Sequence, residues 1–247
     1  MMSFVDNPNL PEGKVCTIIC GDYHEKLFNF LKSRNIDMLK VEPNLNIDNA
    51  TSTHVDMLAA HLCKNTVLVD SEQCKLAEVL TDMGAEVVFS DSPVSGSYPD
   101  DIRLNFTIIG KRIFGNIRYC DSNISEHLND FEKHNCKQGY CKCSCLVVDE
   151  NSLITDDKSI YNAALENGID CLLVSKGDIA LAGHEYGFIG GASGKISQNE
   201  ILFFGDITKH SDYKKIADFI GKRGCKIISL DFPLTDFGGM IPLIEES

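Results

Sequence analysis

Residues 236–244 read DFGGMIPLI, a short apolar strand behind a Gly-Gly turn. This strand has no pairing partner close to it in sequence, so its partner must come from a distant part of the chain. Four earlier stretches have a related form, in which a turn-rich start runs into an apolar strand. They lie at 53–58, 101–106 and 188–193, with a looser example at 139–144. We interpret the five stretches as equivalent positions of a unit repeated five times.

The segments between these stretches support the same repeat. A hairpin, a helix and a strand follow one another, and each helix is predicted to end at an Asn or Gly in the left-handed conformation. The helices are predicted at 24–32, 72–83, 125–133, 157–166 and 212–222, and the Asn or Gly positions are Asn35, Gly84, Asn135, Gly168 and Gly224.

The predicted fold class is α/β, a five-fold pseudo-symmetric propeller of ββαβ units that occupies residues 1–247 as a single domain. The C-terminal strand closes the ring by pairing with residues 15–20, and residues 1–13 form an irregular lead-in. A doubly wound parallel sheet is the alternative, which is disfavoured because hairpins join sequential strands and no glycine fingerprint opens a helix.

Composition limits the partners. The chain has 23 basic and 36 acidic residues, a net charge of −13, and no cluster of Lys and Arg. Nucleic acids and anionic membranes are therefore not expected as partners, whereas a small-molecule ligand is. The 11 cysteines are an odd number scattered through apolar segments, which favours free thiols in a reducing, cytoplasmic location over a disulfide framework. The oligomeric state is left open.

Several polar residues mark the starts of the repeated strands. His54 and Asp56 are two residues apart on a predicted strand, so imidazole and carboxylate would share a face and could perform acid–base chemistry. Asp101, Asn105 and Asp236 occupy related starts and are predicted to bind a ligand at the ring centre. A turn-capping role is the alternative for the His54–Asp56 pair.

The sequence GGASGK at 190–195 resembles a phosphate-binding loop but lacks its first glycine and its final hydroxyl residue. We expect Gly190 and Gly191 to allow close approach of backbone and ligand, with Ser193 and Lys195 as polar contacts.

Cysteines at 141, 143 and 145 alternate, so on a strand their sulfurs would lie ~7 Å apart, too far for one tetrahedral metal ion. No metal or cofactor is therefore predicted. Cys143 follows Lys142, whose cation could lower the thiol pKa and activate it as a nucleophile.

A closed ring of five ββαβ units resembles the guanidine-modifying enzymes, or penteins, which include arginine and agmatine deiminases, dimethylarginine hydrolases and amidinotransferases. In that family a cysteine nucleophile lies in the closing strand after a Gly-rich turn, and a general-acid histidine begins the central strand of the preceding hairpin. The matching positions here are near Met240 and Phe188. The resemblance thus implies an amidinotransferase-like fold without the usual catalytic pair.

Three functions remain open from the sequence. The first is a binder of a small, cationic guanidino or amino metabolite, with Asp56, Asp101 and Asp236 supplying charge and His54, Asn105, Lys142 and Ser193 near the centre. The second is a C–N hydrolase or amidinotransferase-like enzyme that uses a displaced nucleophile, Cys143. The third is a structural or assembly protein.

Overall fold

The structure, a computed structural model, describes residues 1–96 and 98–246 as a mixed α/β fold with one seven-stranded and three three-stranded sheets. The strands are β1 (Met2–Phe4), β2 (Lys14–Cys20), β3 (Asp37–Lys40), β4 (Ala59–Cys63), β5 (Thr66–Val69), β6 (Glu86–Phe89), β7 (Thr107–Ile109), β8 (Arg112–Gly115), β9 (Glu132–Asn135), β10 (Cys145–Asp149), β11 (Ser152–Thr155), β12 (Asp170–Leu173), β13 (Ser193–Ser197), β14 (Glu200–Phe203), β15 (Lys226–Ile228) and β16 (Ile241–Glu246). The helices are α1 (Glu25–Ser33), α2 (Val55–Leu58), α3 (Cys74–Asp82), α4 (Asn123–His127), α5 (Lys158–Glu166) and α6 (Tyr213–Gly221), with 3-10 turns at Asp100–Ile102 and Ile207–Lys209.

One pairing pattern occurs five times. In β4-β5-β6, β7-β8-β9 and β10-β11-β12, the first two strands pair antiparallel and the last two pair parallel. The same pattern recurs in β13-β14-β15 and, with strands from both ends of the chain, in β16-β2-β3. A helix joins the second and third strand each time, because a parallel pair needs a crossover connection.

The predicted pairing of the C-terminal strand is confirmed. β16 runs antiparallel to β2, with Ile241 opposite Ile19 and Glu246 opposite Lys14. The prediction that residues 1–13 are an irregular lead-in is wrong in part, because β1 pairs with the other edge of β16. That edge would otherwise expose unpaired backbone groups, and the pairing covers it.

Helix ends match the predicted glycine and asparagine positions in four units. Asn35 (φ 56°), Gly84 (φ 90°), Gly168 (φ 73°) and Gly224 (φ 71°) are left-handed where their helices stop. The prediction for the remaining unit is wrong. The helix predicted over 125–133 is limited to α4, and Asn135 lies in β9 instead of at the end of a helix. Parallel pairing with β8 holds that segment extended, and the His134 ring packs 4.9 Å from the ring of Phe114.

Turns replace the predicted strand starts in four places, one of which is the 3-10 turn at Asp100–Ile102 before β7. Residues 55–58 form α2, residues 141–144 form a turn with the Ser144 amide donating to the Tyr140 carbonyl at 3.0 Å, and residues 187–192 precede β13 as a loop. In this loop the Gly191 amide donates to the Cys143 carbonyl at 2.9 Å. A Cβ on Gly190 would lie 2.4 Å from the carbonyl oxygens of Lys142 and Cys145, so the close approach requires glycine.

Buried apolar side chains from the strands and from the inner faces of the helices form the core. All eleven cysteines are free thiols, and seven of them are buried. In the described residues, no helix combines the length and the apolar character that a membrane crossing requires.

The cap of α5 gives a test of the local fold. The Asp157 carboxylate accepts hydrogen bonds from the amides of Ser159 at 2.7 Å and Ile160 at 3.1 Å. We expect Asp157→Ala to lower the free energy of unfolding by about 1 kcal/mol in urea denaturation, because two helix amides lose their acceptor. Lys158→Ala, at the exposed next position, should leave it nearly unchanged; equal effects of the two variants would contradict this cap.

Candidate functional site

A cavity of about 360 Å³ lies among the turns that precede β4, β7, β10, β13 and β16. Side chains from all five predicted strand starts line it, together with two loops at 47–51 and 181–186. The residues from the strand starts are His54, Asp101, Cys143, Phe188 and Asp236.

Asp236 is held on the cavity wall by backbone donors. Its carboxylate accepts hydrogen bonds from the amides of Phe188 and Gly238, each at 2.9 Å, and His54 Nδ1 lies 3.8 Å from its Oδ1. Burial raises the pKa of Asp236, and His54 opposes this shift. Burial also lowers the pKa of His54, which favours a neutral imidazole beside the carboxylate.

Asp56 lies behind this wall and is 1% exposed. Neither of its carboxylate oxygens has a hydrogen-bond partner of ordinary geometry in the described residues. Burial and the nearby Asp236 raise the pKa of Asp56 to about 8, whereas the Cys143 thiol and the Lys142 ammonium act in the opposite direction. Because an unpaired buried carboxylate is unfavourable as an anion, Asp56 is mostly protonated at neutral pH in the ligand-free protein.

Helix α2 changes the predicted relation between His54 and Asp56. The prediction that they share one face of a strand is wrong, because His54 occupies the N-cap position of α2, without a side-chain cap hydrogen bond, and Asp56 lies in the first turn. Asp236 connects them instead, since it approaches His54 and raises the pKa of Asp56. The Asp56 amide donates to the Gly238 carbonyl at 3.3 Å, so the turn before β16 fixes this arrangement.

Asn105 joins Cys143 to Asp56. Its Nδ2 lies 3.0 Å from both the Cys143 sulfur and the Asp56 carbonyl oxygen, and its Oδ1 accepts from the Lys142 amide at 2.8 Å. The prediction that Lys142 lowers the pKa of Cys143 is wrong in its net direction. Burial, Asp56 and Asp236 raise that pKa well above its ordinary value, so Cys143 is a neutral thiol.

The predicted alternation of Cys141, Cys143 and Cys145 along a strand is also wrong, because β10 begins only at Cys145. The turn at residues 141–144 places the Cys143 sulfur next to Asn105, while the Cys141 thiol donates to the Gln138 carbonyl at 3.2 Å. Across residues 1–96 and 98–246, no group of three His, Cys, Asp or Glu side chains is placed to hold a metal ion.

Aromatic rings form one side of the cavity. The Tyr140 hydroxyl donates to Asp101 Oδ2 at 2.5 Å, while Asp101 Oδ1 is buried without a partner in the described chain. The Tyr140 and Phe188 rings stack with centroids 6.3 Å apart, and Tyr186 meets Phe188 edge-on at 6.0 Å. The sequence reading missed Tyr140 and Tyr186, although both are close in sequence to predicted strand starts.

Two loops meet over the cavity. His184 Nε2 lies 3.6 Å from Asp48 Oδ1, which links the loop at 181–186 to the loop at 47–51. Their lining residues were also missed, because neither loop has a periodic pattern or a motif that would indicate which way it folds.

The remaining predicted residues lie outside the lining of this cavity. Gly191 lies directly behind Asp236, and Gly190 packs on the turn that carries Cys143. Lys142, Gly190, Ser193 and Lys195 line a separate void of about 10 Å³. The Lys195 ammonium donates to the Val148 carbonyl at 2.7 Å, and the Ser193 hydroxyl donates to the Ile189 carbonyl at 2.6 Å. The Met240 thioether packs in the core and does not line the cavity.

The raised pKa of Asp56 gives a pH-dependent prediction. An unfolded Asp ionises near pH 4, whereas folded Asp56 holds its proton to about pH 8, so the folded state binds more protons in this window. The contribution of Asp56 to the free energy of unfolding of the wild type therefore falls as the pH rises from 4 to 8. We expect Asp56→Asn, which cannot ionise, to gain stability relative to wild type across the same window in urea denaturation. Parallel stability curves for the two proteins would show that Asp56 ionises normally.

Gly191 gives a second prediction. A Cβ at this position would lie 2.0 Å from Asp236 Oδ1, so we expect Gly191→Ala to displace that carboxylate and lower the free energy of unfolding by about 1–3 kcal/mol. Gly221→Ala is the matched control, because its Cβ meets no atom within 4 Å on α6, and it should be neutral or stabilising. Equal melting temperatures for the two variants would contradict the packing of Asp236.

Solved structures with the same fold are enzymes that act on guanidino groups or transfer them. Inosamine-phosphate amidinotransferase StrB1 from Streptomyces griseus matches with a TM-score of 0.63 and 8% identity over 97% of each chain. SxtG, an amidinotransferase from Microseira wollei in the saxitoxin biosynthetic pathway, matches with a TM-score of 0.59 and 10% identity over 98% of each chain. Agmatine deiminase from C. jejuni with substrate bound gives 0.57 and 12% identity, covering 100% of this chain and 97% of its own.

No curated protein sequence matches the chain. The structural matches share little sequence with it, so they show the fold and not the activity. That fold is the pentein fold of the guanidine-modifying enzymes, and a family model matches residues 18–241. The chain thus belongs to the family of unknown function DUF6873.

Proposed function

We propose that this protein binds a small cationic metabolite, with a guanidino or amino group, at the centre of a five-unit ring. The observation that carries the proposal is the buried Asp56 carboxylate, which has no hydrogen-bond donor of ordinary geometry among the described residues and lies behind a cavity that Asp101 and Asp236 line. A buried carboxylate with so few donors is unfavourable as an anion, and a cation at the neighbouring cavity wall would stabilise its ionised form.

Contacts between the inner strands support the ring. β16 contacts β4, β7 contacts β10, β10 contacts β13, and β13 contacts β16. The hydrogen bond from Asn105 to the Asp56 carbonyl joins the units of β4 and β7. A ring places the starts of all five inner strands near its axis, where Asp56, Asp101 and Asp236 are brought together.

The negative charge of the carboxylates at the cavity favours a cationic ligand. A cation near Asp236 and Asp56 would favour their ionised forms, and a guanidinium offers paired donors that match a carboxylate. The neutral state of His54 adds no repulsion to such a ligand, because burial lowers its pKa. The phenyl ring of Phe188 and the stacked Tyr140 give a cation additional attraction through their faces.

Binding is favoured over the usual family chemistry. Met240, near the position of the family's cysteine, is a buried thioether without an ionisable proton, so it cannot form a covalent intermediate and later leave in the ordinary way. Phe188, at the position of the family's histidine, cannot transfer a proton. We also expect a cytoplasmic location, because eleven free thiols suit a reducing compartment.

The second candidate is a C–N hydrolase or amidinotransferase-like enzyme with a displaced nucleophile. Its supporting observation is the position of Cys143, whose sulfur lies in the cavity lining and 3.0 Å from Asn105 Nδ2. Asp56 is the carboxylate that interacts with this thiol; once a bound cation ionises it, Asp56 could accept the thiol proton, and that proton could then pass to the leaving amine. The raised pKa of Cys143 is unfavourable for this reaction unless a bound cation offsets the two carboxylates.

Binding and turnover can be separated in one set of measurements. We expect a series of guanidino and amino compounds to include cations that raise the melting temperature of the wild type in a concentration-dependent way. Asp236→Asn should weaken that effect by about tenfold or more in Kd, because it removes one charge from the wall. The control is Glu185→Gln, which removes an exposed charge at the cavity rim and should change Kd much less.

Product analysis then distinguishes the two candidates. If the protein is only a binder, arginine, methylated arginines and agmatine should yield no ureido product over hours, with or without Cys143. Turnover that is lost in Cys143→Ala supports the displaced-nucleophile enzyme, whereas a failure of all cations to bind would overturn both candidates.

A further inference from the structure

The cavity lining is acidic, which disfavours a ligand that carries an anionic group. Among its described lining residues are four carboxylates and two imidazoles, and neither Lys nor Arg is present. The carboxylates are Asp48, Asp101, Glu185 and Asp236. An anionic group on a ligand would therefore meet like charges and find no ammonium or guanidinium to pair with.

Two of the lining carboxylates, Asp236 and Asp101, mark two separate binding positions. Asp236 precedes β16 and has Asp56 behind it, while Asp101 belongs to the unit of β7. Asp101 is 8% exposed, its Oδ2 accepts from Tyr140, and its Oδ1 lacks a partner in the described chain. A buried carboxylate oxygen without a donor is unfavourable, so each position is suited to a ligand's cationic group.

The nearby lysines are not placed to bind a ligand carboxylate in the cavity. Lys142 interacts with Asp56, but its side chain lines two narrow voids instead of the cavity. The Lys176 ammonium is on an exposed residue and lies 5.4 Å and 6.0 Å from the ring centroids of Tyr186 and Phe188. Lys176 thus contacts the aromatic wall and is not part of the lining.

The rings of Tyr140, Tyr186 and Phe188 complete the description of the ligand. Their stacked and edge-on arrangement gives an apolar surface on the side of the cavity where Asp101 lies. A chain of methylene groups would be buried favourably against such a surface. The site thus combines two acidic positions with an apolar wall, and a cationic head at each end of a short hydrocarbon chain complements it.

We propose, as a consequence of the proposed function, that the ligand is a dication without a carboxylate, an α,ω-diamine or a guanidinoalkylamine. One cationic group pairs with Asp236, which lies in front of the buried Asp56, and the other pairs with Asp101. The corresponding α-amino acids are disfavoured because their carboxylate would enter an acidic cavity that offers no cationic partner.

Matched pairs of ligands that differ only by a carboxylate test this inference. Titration calorimetry would compare agmatine with arginine, putrescine with ornithine, and cadaverine with lysine, with butylamine as the single-cation reference. We expect each decarboxylated compound to bind at least about tenfold more tightly than its amino acid, and each diamine to bind more tightly than butylamine.

Variants of the protein then test which carboxylate binds each cationic end of the ligand. Asp101→Asn keeps an acceptor for the Tyr140 hydroxyl and should weaken diamine binding about tenfold while leaving butylamine within about twofold, because the single cation occupies the Asp236 end. Lys176→Gln should leave the preference between agmatine and arginine unchanged.

The outcomes separate this inference from the function on which it rests. Equal affinity for agmatine and arginine, or a preference for arginine that Lys176→Gln removes, would overturn the carboxylate-free ligand while the cation-binding function stands. Equal loss of diamine and butylamine affinity in Asp101→Asn would overturn the two-position assignment. Absence of binding by every compound would overturn the proposed function itself.

Discussion

The antiparallel pairing of β16 with β2 is the constraint on which the site depends. It holds the turn before β16 against α2, where the Asp56 amide reaches the Gly238 carbonyl, and against the glycine loop before β13. Asp236 is thereby fixed on the cavity wall by the amides of Phe188 and Gly238. Without this pairing the first unit would lack a strand, and the cavity would lose the carboxylate that connects His54 with Asp56.

Burial of carboxylates is the main energetic feature of the centre. Apolar surroundings raise the pKa values of Asp56 and Asp236, and both groups are only partly compensated by Lys142 and His54. A core that needed only stability would place apolar or fully paired groups here. Buried carboxylates beside a cavity are frequent at functional sites, because a ligand that pairs with them recovers the stability that their burial costs the free protein.

Regular elements with local signals could be predicted from the sequence, whereas the loops of the site could not. Asp157 begins α5 and Gly168 ends it, and both signals act within a few residues. The segment 125–133 shows the limit, because pairing with β8 overrides a helical pattern there. Repeat symmetry predicted one cavity for His54, Asn105, Lys142, Ser193 and Asp236, of which only His54 and Asp236 are among its described lining residues. The approach of the loops at 47–51 and 181–186 depends on contacts distant in sequence, such as His184 with Asp48.

Proton release on ligand binding tests the central claim most directly, because it reports on the buried carboxylates themselves. With a pKa of about 8, Asp56 is mostly protonated at pH 7 in the free protein, and a bound cation would favour its ionised form. Calorimetric titration of the tightest-binding cation in buffers of different ionisation enthalpy gives the number of protons exchanged. The account predicts release of close to one proton at pH 7 in the wild type and much less in Asp56→Asn. Tight binding with no proton release in the wild type would contradict it.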